Sequence, residues 1–508
     1  MKGLFPLIAS AARMWLNTGQ PGIKKEQGRF MFRIHPGGRS KPSIHFSGIG
    51  GTAMVAGARL AIEAGWDVRG SDSPLYPPTS YMVEALGVPV AVGYDAANLD
   101  WSPDCIILGN ALSRGNPEVE AALTHKLHYV SLPEWLKDAV LRTRRPVVIA
   151  GTHGKTTTTA LAAYLLDVSG TEPGFLIGGQ PLNFPHSARL GQEQAPFVIE
   201  GDEYDTAFFD KRAKFFHYLP EIAVVTSIEF DHADIYAGLE EIIRAFRRML
   251  RQIPRDGRLI VCADDPNALA LREHAFCPVE SYGFDVAADW RGELASFPGI
   301  PDGCVGLRVY RDGGPWGDVA VPMAGLHNLR NALAAIAVGA AFGMSADEIA
   351  HAMPEFRGVK RRMEVFLEAH GITFVDDFAH HPTAIRETIA AARQRWPQRR
   401  LHVLFEPRSN TTVTNRFQGE MNAAFREADA VWLGPIHRAE SIPEAERLDR
   451  AGMVRTLERQ GISAAFADDV ADIVTSLETS LGDGDIVLIL SNGAFGGIYQ
   501  RLKERYKE

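Results

Sequence analysis

Residues 146–168 read PVVIAGTHGKTTTTALAAYLLDV: an aliphatic run, a glycine-rich turn, and then a run of helix-forming residues. Glycines in such a turn let backbone N–H groups point towards phosphates, and the helix N-terminus adds a partial positive charge. Lys155 can reach the terminal phosphates of a nucleotide, and Thr156 can bind magnesium. The motif is GxxGKT rather than the longer GxxxxGKT, because Ile149 stands where the longer motif begins with glycine. The stretch predicts a strand, a phosphate-binding loop and a helix.

Short aliphatic runs alternate with helical patterns along the chain, which is typical of βα units that build parallel sheets. These runs are too many for one sheet, so the 508 residues are expected to form three α/β domains. Breaks are predicted near 142–146 and 355–362, and a portion rich in Gly and Asp, 285–322, predicts antiparallel strands. The predicted strands are SIHFSG, WDVRGSD, CIILGN, PVVIAG, FVIEGD, IAVVTS, RLIVCA, LHVLFEP, AVWLGP and DIVLILSNG.

Composition is that of an ordinary globular protein, with 46% hydrophobic and 23% charged residues. The formal net charge of -9 gives no uniform basic field, so neither nucleic acid nor an anionic membrane is expected as a partner. No apolar run reaches the roughly 20 residues of a membrane span. Four widely spaced cysteines suggest neither a zinc site nor a disulfide framework and fit a reducing cytosol. Residues 1–40 are interpreted as a disordered extension or a misread start.

A second glycine-rich turn follows the first predicted strand, and an acidic residue comes after it. It contains Gly48, Ile49, Gly50 and Gly51, and Asp72 comes about 20 residues later, which matches the GxGxxG/A dinucleotide pattern. The same geometry can hold the diphosphate of a UDP-sugar, or it can be a plain structural turn. A nicotinamide enzyme does not need a second, lysine-bearing phosphate loop, so nucleotide-sugar binding is the favoured interpretation.

Two further predicted strands end in acids and a histidine. The carboxyl ends of strands are where α/β sheets place ligands, and magnesium prefers oxygen ligands. Glu200 and His232 are therefore candidates to hold a metal beside the phosphate loop, although solvated loop charges are the alternative for any one acid. The two clusters consist of Glu200, Asp202, Glu203 and Asp205, and of Glu229, Asp231, His232 and Asp234.

Polar residues also cluster in the last 200 residues, where a helix cap and surface arginines are the alternatives to a ligand site. These residues are His327, Asn328, Asn331, Arg361, Arg362, Asp376, Asp377, His380 and His381.

Taken in order, HFSGIGGTAM, GTHGKTTTT, EGDEYD, SIEFDHADIY, AGLHNLRNALAA, VKRRMEV and DDFAHHPTAI resemble the motif series of the Mur ligase family. The resemblance runs from residue 43 to about 500. LNFPHSARLG, EGDEYDTAFFDKRAKFFHYLP, FEPRSNT and SNGAFGGI are most similar to the branch that joins UDP-N-acetylmuramate to the murein tripeptide L-Ala-γ-D-Glu-meso-diaminopimelate. The branch that adds L-alanine to UDP-N-acetylmuramate is its nearest relative and stays an alternative.

The resemblance implies an α/β fold of three domains and an ATP- and Mg²⁺-dependent ligase that forms an acyl phosphate. Residues 41–143 would be a Rossmann-like UDP-binding domain. Residues 144–357 would be a P-loop ATPase-type domain with a parallel sheet and a small antiparallel sheet. Residues 358–508 would be a Rossmann-like domain that presents the amine substrate. A cytoplasmic monomer or weak homodimer is expected.

The resemblance also assigns roles to individual residues. Those implied in catalysis are Lys155, Glu200, His232 and Arg362, and those implied in metal binding are Thr156, Glu200 and His232. Those implied in ATP binding are Gly151, Thr152, His153, Gly154, Lys155, Thr156, Thr157, His327, Asn328, Asn331, Arg362 and Asp377. Those implied in substrate binding are Gly48, Ile49, Gly50, Gly51, Asp72, Asn110, Ser113, His380, Arg408, Ser409 and Asn410.

One departure concerns the second metal position, which several Mur ligases support with a carbamylated lysine. From Ala233 to Pro254 this chain has four arginines and no lysine, so a role for Arg247 or Arg248 stays open. Two hypotheses from other classes also stay open. One is a nicotinamide dehydrogenase built on the first glycine loop, and the other is a non-catalytic nucleotide-binding regulator.

Overall fold

The first predicted strand, SIHFS, is buried along its whole length and forms the centre of a five-stranded parallel sheet. The structure is a computed structural model that describes residues 41–75, 79–231 and 235–506. The predicted extension at 1–40 lies outside the described residues. Within the described residues no helix is long and apolar enough to cross a membrane.

The first sheet has the order β3-β2-β1-β4-β5, so the direction of winding reverses between β1 and β4. The glycine turn at 48–51 follows β1, at the switch point where open α/β sheets bind ligands. The strands are β1 Ser43–Ser47, β2 Asp67–Asp72, β3 Val90–Val92, β4 Cys105–Leu108 and β5 Tyr129–Val130. The helices are α1 Thr52–Glu63, α2 Thr79–Glu84, α3 Pro117–Thr124 and α4 Leu132–Ala139.

The central sheet has ten strands, and its middle strands are parallel and continuously apolar because both faces are buried. These strands are β6 Arg145–Ala150, β7 Gly174–Leu176, β8 Ala188–Arg189, β9 Pro196–Gly201, β12 Ile222–Val225, β13 Arg258–Cys262, β14 Val279–Gly283, β15 Trp290–Leu294, β16 Val305–Arg311 and β17 Gly314–Val321. A separate hairpin pairs β10 Asp205–Ala207 with β11 Asp210–Ala213. The helices are α5 Lys155–Val168, α6 Leu239–Leu250, α7 Pro266–Ala270, α8 Leu326–Ala341 and α9 Ala346–Ala352.

The antiparallel strands predicted at 285–322 are confirmed as β15, β16 and β17. They continue the central sheet, because Tyr282 and Gly283 at the end of β14 pair in parallel with Trp290 and Arg291 of β15. The order along the whole sheet is β17-β16-β15-β14-β13-β12-β6-β9-β7-β8.

The third sheet has the order β18-β19-β23-β20-β21-β22, and all of its pairs are parallel except β18 with β19. Its strands are β18 Glu364–Ala369, β19 Ile372–Asp377, β20 Leu401–Phe405, β21 Ala430–Leu433, β22 Ser463–Phe466 and β23 Ile486–Leu490. Its helices are α10 Pro382–Arg395, α11 Gln418–Ala424, α12 Arg450–Arg459, α13 Val470–Glu478 and α14 Ile498–Arg505. The three-domain α/β prediction is confirmed.

The hydrophobic cores follow the sheets. One cluster joins the first and central sheets, and two others cover the faces of the third sheet. Helix α8, with the sequence LHNLRNALAAIAVGAA, packs on α5 through small buried side chains. This packing fixes the start of α5, and therefore the phosphate loop, against the central sheet.

Candidate active site

The predicted phosphate loop lies between β6 and α5 and depends on two glycines with positive φ. A Cβ on Gly151 (φ +131°) would lie 2.2 Å from Thr226 Oγ1, and one on Gly154 (φ +81°) would lie 2.4 Å from Asn331 Oδ1. Any side chain at either position would therefore push the loop away from β12 or α8. The close approach leaves the backbone of the loop as the surface that a phosphate would meet.

Lys155, the first residue of α5, is folded back onto the loop. Its Nζ donates to the carbonyl of Gly151 at 2.7 Å and to Glu203 Oε2 at 2.8 Å. Burial by itself lowers the pKa of Lys155, but the charges of Glu203 and Asp202 outweigh burial and raise it. The side chain is therefore a cation that a phosphate could draw away from Glu203.

Glu200, at the end of β9, differs from the other acids of its cluster. Asp202, Glu203 and Asp205 pair with Lys214, Lys155 and Lys211, respectively.

Among the described residues, no lysine or arginine forms an ion pair with Glu200. Its carboxylate accepts from Thr156 Oγ1 at 3.1 Å and from the Gly178 N–H at 2.5 Å. Desolvation of this half-buried carboxylate raises the pKa of Glu200, and the charges of Lys155 and Arg362 oppose the shift without cancelling it.

The predicted metal ligands Thr156 and Glu200 are thus brought together, whereas His232 lies outside the described residues. Arg247 and Arg248 are exposed on α6. Their position gives no support to a role in the second metal shell.

A third group of polar side chains meets beside the phosphate loop, and sequence reasoning did not connect its members. His153 Nε2 lies 3.2 Å from Glu229 Oε2, and His381 Nδ1 lies 3.5 Å from the same oxygen. Thr383 Oγ1 donates to this oxygen at 2.8 Å. Hydrogen bonds to His153 and Thr383, against the effect of burial, lower the pKa of Glu229 to about 2. The sequence signals were that His153 lies in the phosphate-loop motif, Glu229 in the acidic cluster that contains His232, and His381 next to His380.

Helix α8 carries the residues expected on the adenine side. Burial, with the nearby charges of Arg330 and Arg362, lowers the pKa of His327 to about 4, so its imidazole is neutral. Its Nδ1 has no hydrogen-bond partner among the described residues. Asn331 has packing contacts instead, because its Oδ1 accepts from Thr158 Oγ1 at 3.1 Å and its Nδ2 donates to Asn328 Oδ1.

Arg361 and Arg362 differ in their surroundings. Arg361 is held by the carbonyl oxygens of Ser491 and Gly493 and by Asp376, so it has a structural role. The Arg362 guanidinium is exposed and, in the described parts of the chain, pairs with no carboxylate.

Asp377 is buried at the end of β19, between the turn that carries Arg361 and Arg362 and the loop that follows the strand. One carboxylate oxygen accepts from the Met363 N–H and the other from the Ala379 N–H, each at 2.8 Å. The residue therefore shapes both turns, and its ATP contact stays a prediction.

In the first domain, the Gly48 turn is tied to β2. The N–H groups of Gly48 and Ile49 donate to the carbonyl of Ser71 at 2.8 and 3.1 Å. Asp72 accepts from the Gly50 N–H at 2.7 Å and from the Tyr94 hydroxyl at 2.9 Å. Asp72 therefore stabilises the glycine turn. In a dinucleotide site the acid at this position would instead contact the ribose.

Two other predicted substrate residues of this domain lie further along the chain. Asn110 Nδ2 donates to Asp205 Oδ1 at 3.3 Å and links the loop after β4 to β10, while Ser113 is exposed.

The predicted amine side lies at the carboxyl ends of β20, β21 and β23. Arg408 contacts His437 Nδ1 at 3.4 Å and Glu406 Oε1 at 3.5 Å. A Cβ on Gly493 would lie 2.3 Å from Arg408 Nε, so this glycine leaves the space that the arginine occupies. Sequence reasoning missed both His437 and Gly493.

The other residues predicted on the amine side lie near Arg408. Ser409 Oγ donates to the carbonyl of His380 at 3.3 Å, and Asn410 is exposed. His380 is half-buried, and its Nδ1–H donates to the carbonyl of Phe378 at 2.9 Å. This leaves Nε2 of His380 as an acceptor.

Three family models match the chain in order. The Mur ligase family catalytic domain matches residues 43–144, the Mur ligase middle domain matches residues 149–339, and the Mur ligase glutamate ligase domain matches residues 361–493.

Two kinds of relative are similar to the chain over most of its length. The UDP-N-acetylmuramate–L-alanyl-γ-D-glutamyl-meso-2,6-diaminoheptandioate ligase of Escherichia coli is 40% identical over 461 residues, which are 90% of this chain and 97% of that protein. A UDP-N-acetylmuramate–L-alanine ligase of Burkholderia lata is 34% identical over 475 residues, which are 92% of this chain and 98% of that protein.

Solved structures of both kinds resemble the fold. A murein peptide ligase from Psychrobacter arcticus has a TM-score of 0.68 at 36% identity and covers 91% of this chain and 98% of its own. A UDP-N-acetylmuramate-alanine ligase from Thermotoga maritima has a TM-score of 0.74 at 25% identity and covers 92% of this chain and 99% of its own. The two kinds share one architecture, so the shape of the chain does not separate them, while sequence identity favours the first.

Proposed function

The chain belongs to the Mur ligase family, and we propose that it joins the carboxylate of UDP-N-acetylmuramate to the amine of L-Ala-γ-D-Glu-meso-diaminopimelate in peptidoglycan recycling. The observation that carries this conclusion is the 40% identity to the Escherichia coli relative of that name, against 34% to the alanine-adding relative. The reaction is assigned to the cytoplasm, where ATP is supplied.

The chemistry needs an activated acid, because a carboxylate is a poor acylating agent at neutral pH. The sugar carboxylate attacks the γ-phosphorus of the co-substrate ATP, and ADP leaves. The amine then attacks the acyl carbon of the acyl phosphate, and inorganic phosphate leaves. In phosphoryl transfer the protein contributes chiefly positioning and electrostatic stabilisation, so the residues of the site must supply these two effects.

Lys155 supplies the positive charge at the phosphoryl group. Its Nζ lies within hydrogen-bond distance of Gly151 and Glu203, and a phosphate on the loop can replace Glu203 as its partner. A fixed cation at the site of developing charge is worth more in a site that excludes water than in solution. The N–H groups at the start of α5 add to the effect, while those of Thr152 and His153 donate to Ser227.

Thr156 and Glu200 are suited to hold Mg²⁺. Both offer oxygen atoms, which magnesium prefers, and the half-buried Glu200 carboxylate forms no ion pair within the described residues. When bound, the ion would neutralise charge on the transferring phosphoryl group. We assign Thr156, Glu200 and His232 as its protein ligands.

His380 is placed to receive the amine. Its Nδ1–H donates to a backbone carbonyl, so Nε2 can accept a hydrogen bond from the attacking nitrogen and hold the proton that the nitrogen loses. Burial lowers the pKa of His380, which keeps the imidazole neutral and able to accept. Arg408, on the neighbouring loop, is assigned to the distal carboxylates of the tripeptide.

One assay tests the proposal. Phosphate release is measured with ATP, Mg²⁺, UDP-N-acetylmuramate and, in separate reactions, free L-alanine, L-Ala-γ-D-Glu and the diaminopimelate tripeptide. We expect ADP and phosphate only when both the sugar and an amine are present, and a kcat/KM for the tripeptide at least about 10-fold above that for L-alanine, a difference of about 1.4 kcal/mol.

The other outcomes identify the other hypotheses. A tenfold preference for free L-alanine would replace the tripeptide assignment with the alanine-adding one. Oxidation of NADH without use of ATP would indicate a dehydrogenase. Nucleotide binding with no product from any amine would indicate a non-catalytic regulator.

A further inference from the structure

His153, Glu229 and His381 present three ligand atoms that all lie within 4.8 Å of one another. They come from the phosphate loop, from the segment after β12 and from the residue before α10. We propose that these three side chains bind one Zn²⁺ ion, at a position separate from the oxygen-ligand site assigned to Thr156 and Glu200.

The distances between the ligand atoms fit a tetrahedral zinc site. With zinc–ligand distances of about 2.0–2.2 Å, tetrahedral geometry separates neighbouring ligand atoms by about 3.3–3.6 Å. The measured separations from Glu229 Oε2 are 3.2 Å to His153 Nε2 and 3.5 Å to His381 Nδ1. Two of the three pairs therefore have separations close to the tetrahedral range, and the third pair, formed by the two imidazoles, lies within 4.8 Å.

The kinds of ligand select zinc over magnesium. Two imidazoles and one carboxylate form the set found in zinc sites that keep a fourth position open, whereas magnesium requires mostly oxygen ligands. At the neighbouring Thr156 and Glu200, both offered atoms are oxygens. The two positions therefore differ in metal preference.

The surroundings hold the ligands in place. Thr383 Oγ1 donates to Glu229 Oε2 at 2.8 Å and the Thr383 N–H donates to His381 Nδ1 at 3.4 Å, so Thr383 orients both ligand atoms and would have to share them with the ion. The rings of His153 and His381 are 4.9 Å apart, and His381 is 5% exposed. Little rotamer freedom is therefore lost when the ion binds.

The site would connect two parts of the chain. His153 belongs to the phosphate loop of the central sheet, whereas His381 and Thr383 lie at the start of α10 on the third sheet. A zinc ion held by both would tie the loop to the third domain. It would also engage His153, which is predicted to lie beside the nucleotide. Zinc is therefore expected to slow ligation at constant Mg²⁺.

The test uses the full-length, tag-free, nucleotide-free protein, stripped with chelator and kept in 5-fold excess Mg²⁺ over protein. Zn²⁺ affinity is measured by competition with a chromophoric chelator, and Co²⁺ is added to a second sample for visible absorption. We expect one Zn²⁺ per chain and the d–d bands of tetrahedral Co²⁺ without a thiolate charge-transfer band. His381→Gln and Glu229→Gln should each weaken Zn²⁺ binding by at least about 10-fold.

Controls separate this site from others. His351→Gln removes an exposed imidazole on α9 and should leave Zn²⁺ binding unchanged, and Glu200→Gln should also leave it unchanged. Circular dichroism of every variant checks folding. Equal Zn²⁺ affinity in the wild type and in folded His381→Gln, loss of binding in Glu200→Gln, or a thiolate band would each overturn the proposal. None of these outcomes bears on the ligation assay, which contains no zinc.

Discussion

The Nζ atom of Lys155 lies 2.8 Å from Oε2 of Glu203, and this ion pair holds the lysine of the phosphate loop against the segment after β9. Glu203 is 2% exposed, and Tyr236 donates to its carbonyl oxygen at 2.6 Å, so the acid is fixed. The lysine is the partner that can move. A nucleotide phosphate would compete with Glu203 for Lys155. ATP binding would therefore change the contacts of the segment after β9.

Lys155→Ala should lower kcat by at least about 100-fold, because the fixed charge at the phosphoryl group is lost. The Kd for UDP-N-acetylmuramate should change by less than about 2-fold, since the Gly48 turn lies on another sheet. Phosphate release and calorimetric titration of the sugar measure the two effects separately. Retention of more than about a tenth of wild-type kcat, which is only about 1.4 kcal/mol, contradicts the assignment.

Two controls accompany this variant. Lys211→Ala removes an exposed lysine that pairs with Asp205 and should leave kcat unchanged. Glu203→Gln in the Lys155→Ala background removes the buried carboxylate that truncation leaves unpaired, so it separates lost folding from lost catalysis.

Glu118 lies beneath the Gly48 turn, and we expect its substitution to change the affinity for the UDP-sugar. It is fully buried and accepts from the hydroxyls of Ser47 at 2.5 Å and Ser71 at 2.6 Å. Ser47 precedes Gly48, and the carbonyl of Ser71 accepts from the Gly48 N–H.

Glu118→Ala leaves these buried donors unpaired at about 1–3 kcal/mol, so we expect the KM for UDP-N-acetylmuramate to rise about 10-fold. Glu118→Gln should restore part of the affinity, and the KM for ATP should stay within about 2-fold. Glu120→Gln, on the same helix at a side chain that is 38% exposed and pairs with Arg114, is the control. Equal increases in both KM values would indicate general unfolding instead.

Ionisation of Asp376 should lower the free energy of unfolding as the pH rises. Burial raises the pKa of Asp376 from 3.8 to about 6, against the opposing charge of Arg361. The native state therefore binds its proton more tightly than the unfolded state, so the stabilisation is complete below pH 3.8 and is lost as the pH rises through 6. Integrated over about 2 pH units, the effect is on the order of 3 kcal/mol.

Asp376→Asn should remove this pH dependence. Urea unfolding at pH 4, 5, 6 and 7 gives the free energy of unfolding, and the difference between variant and wild type should increase in favour of the variant as the pH rises. Asp347→Asn, on the exposed face of α9, should show no such trend. A difference that is constant over the series would rule out titration of Asp376.

Gly493→Ala should weaken tripeptide binding through Arg408. The added methyl group would lie 2.3 Å from Arg408 Nε and must displace the guanidinium. We expect the KM for the tripeptide to rise by about 10-fold, or about 1.4 kcal/mol, with the KM for ATP unchanged. Gly419→Ala is the matched control, because nothing lies within 4 Å of a Cβ at that position. An effect on ATP equal to that on the tripeptide would contradict the assignment.

The sequence predicted the sheets well because parallel strands buried on both faces are continuous apolar runs. IAVV of β12 and IVLIL of β23 are buried at every position. The loop between β6 and α5 was predicted equally well, since the GxxGKT motif stands directly between an aliphatic run and a helical pattern. These features are local, and short stretches of chain specify them.

The roles of individual acids were less predictable. The sequence placed Glu200, Asp202 and Glu203 in one run, and only the position of Glu200 directly after FVI and the family resemblance singled it out. Contacts with Lys214 and Lys155 distinguish the last two, and these lysines reach the run only after the chain has folded.

By itself the sequence determined the three α/β units, the two glycine turns and the identity of the phosphate-loop lysine, because strand periodicity and turn chemistry act over a few residues. Only the tertiary structure decided that His153, Glu229 and His381 meet within 4.8 Å. Their neighbourhood depends on β12 pairing with β6 and on the third domain docking beside the phosphate loop. Docking is set by packing across whole surfaces, which no short stretch of sequence encodes.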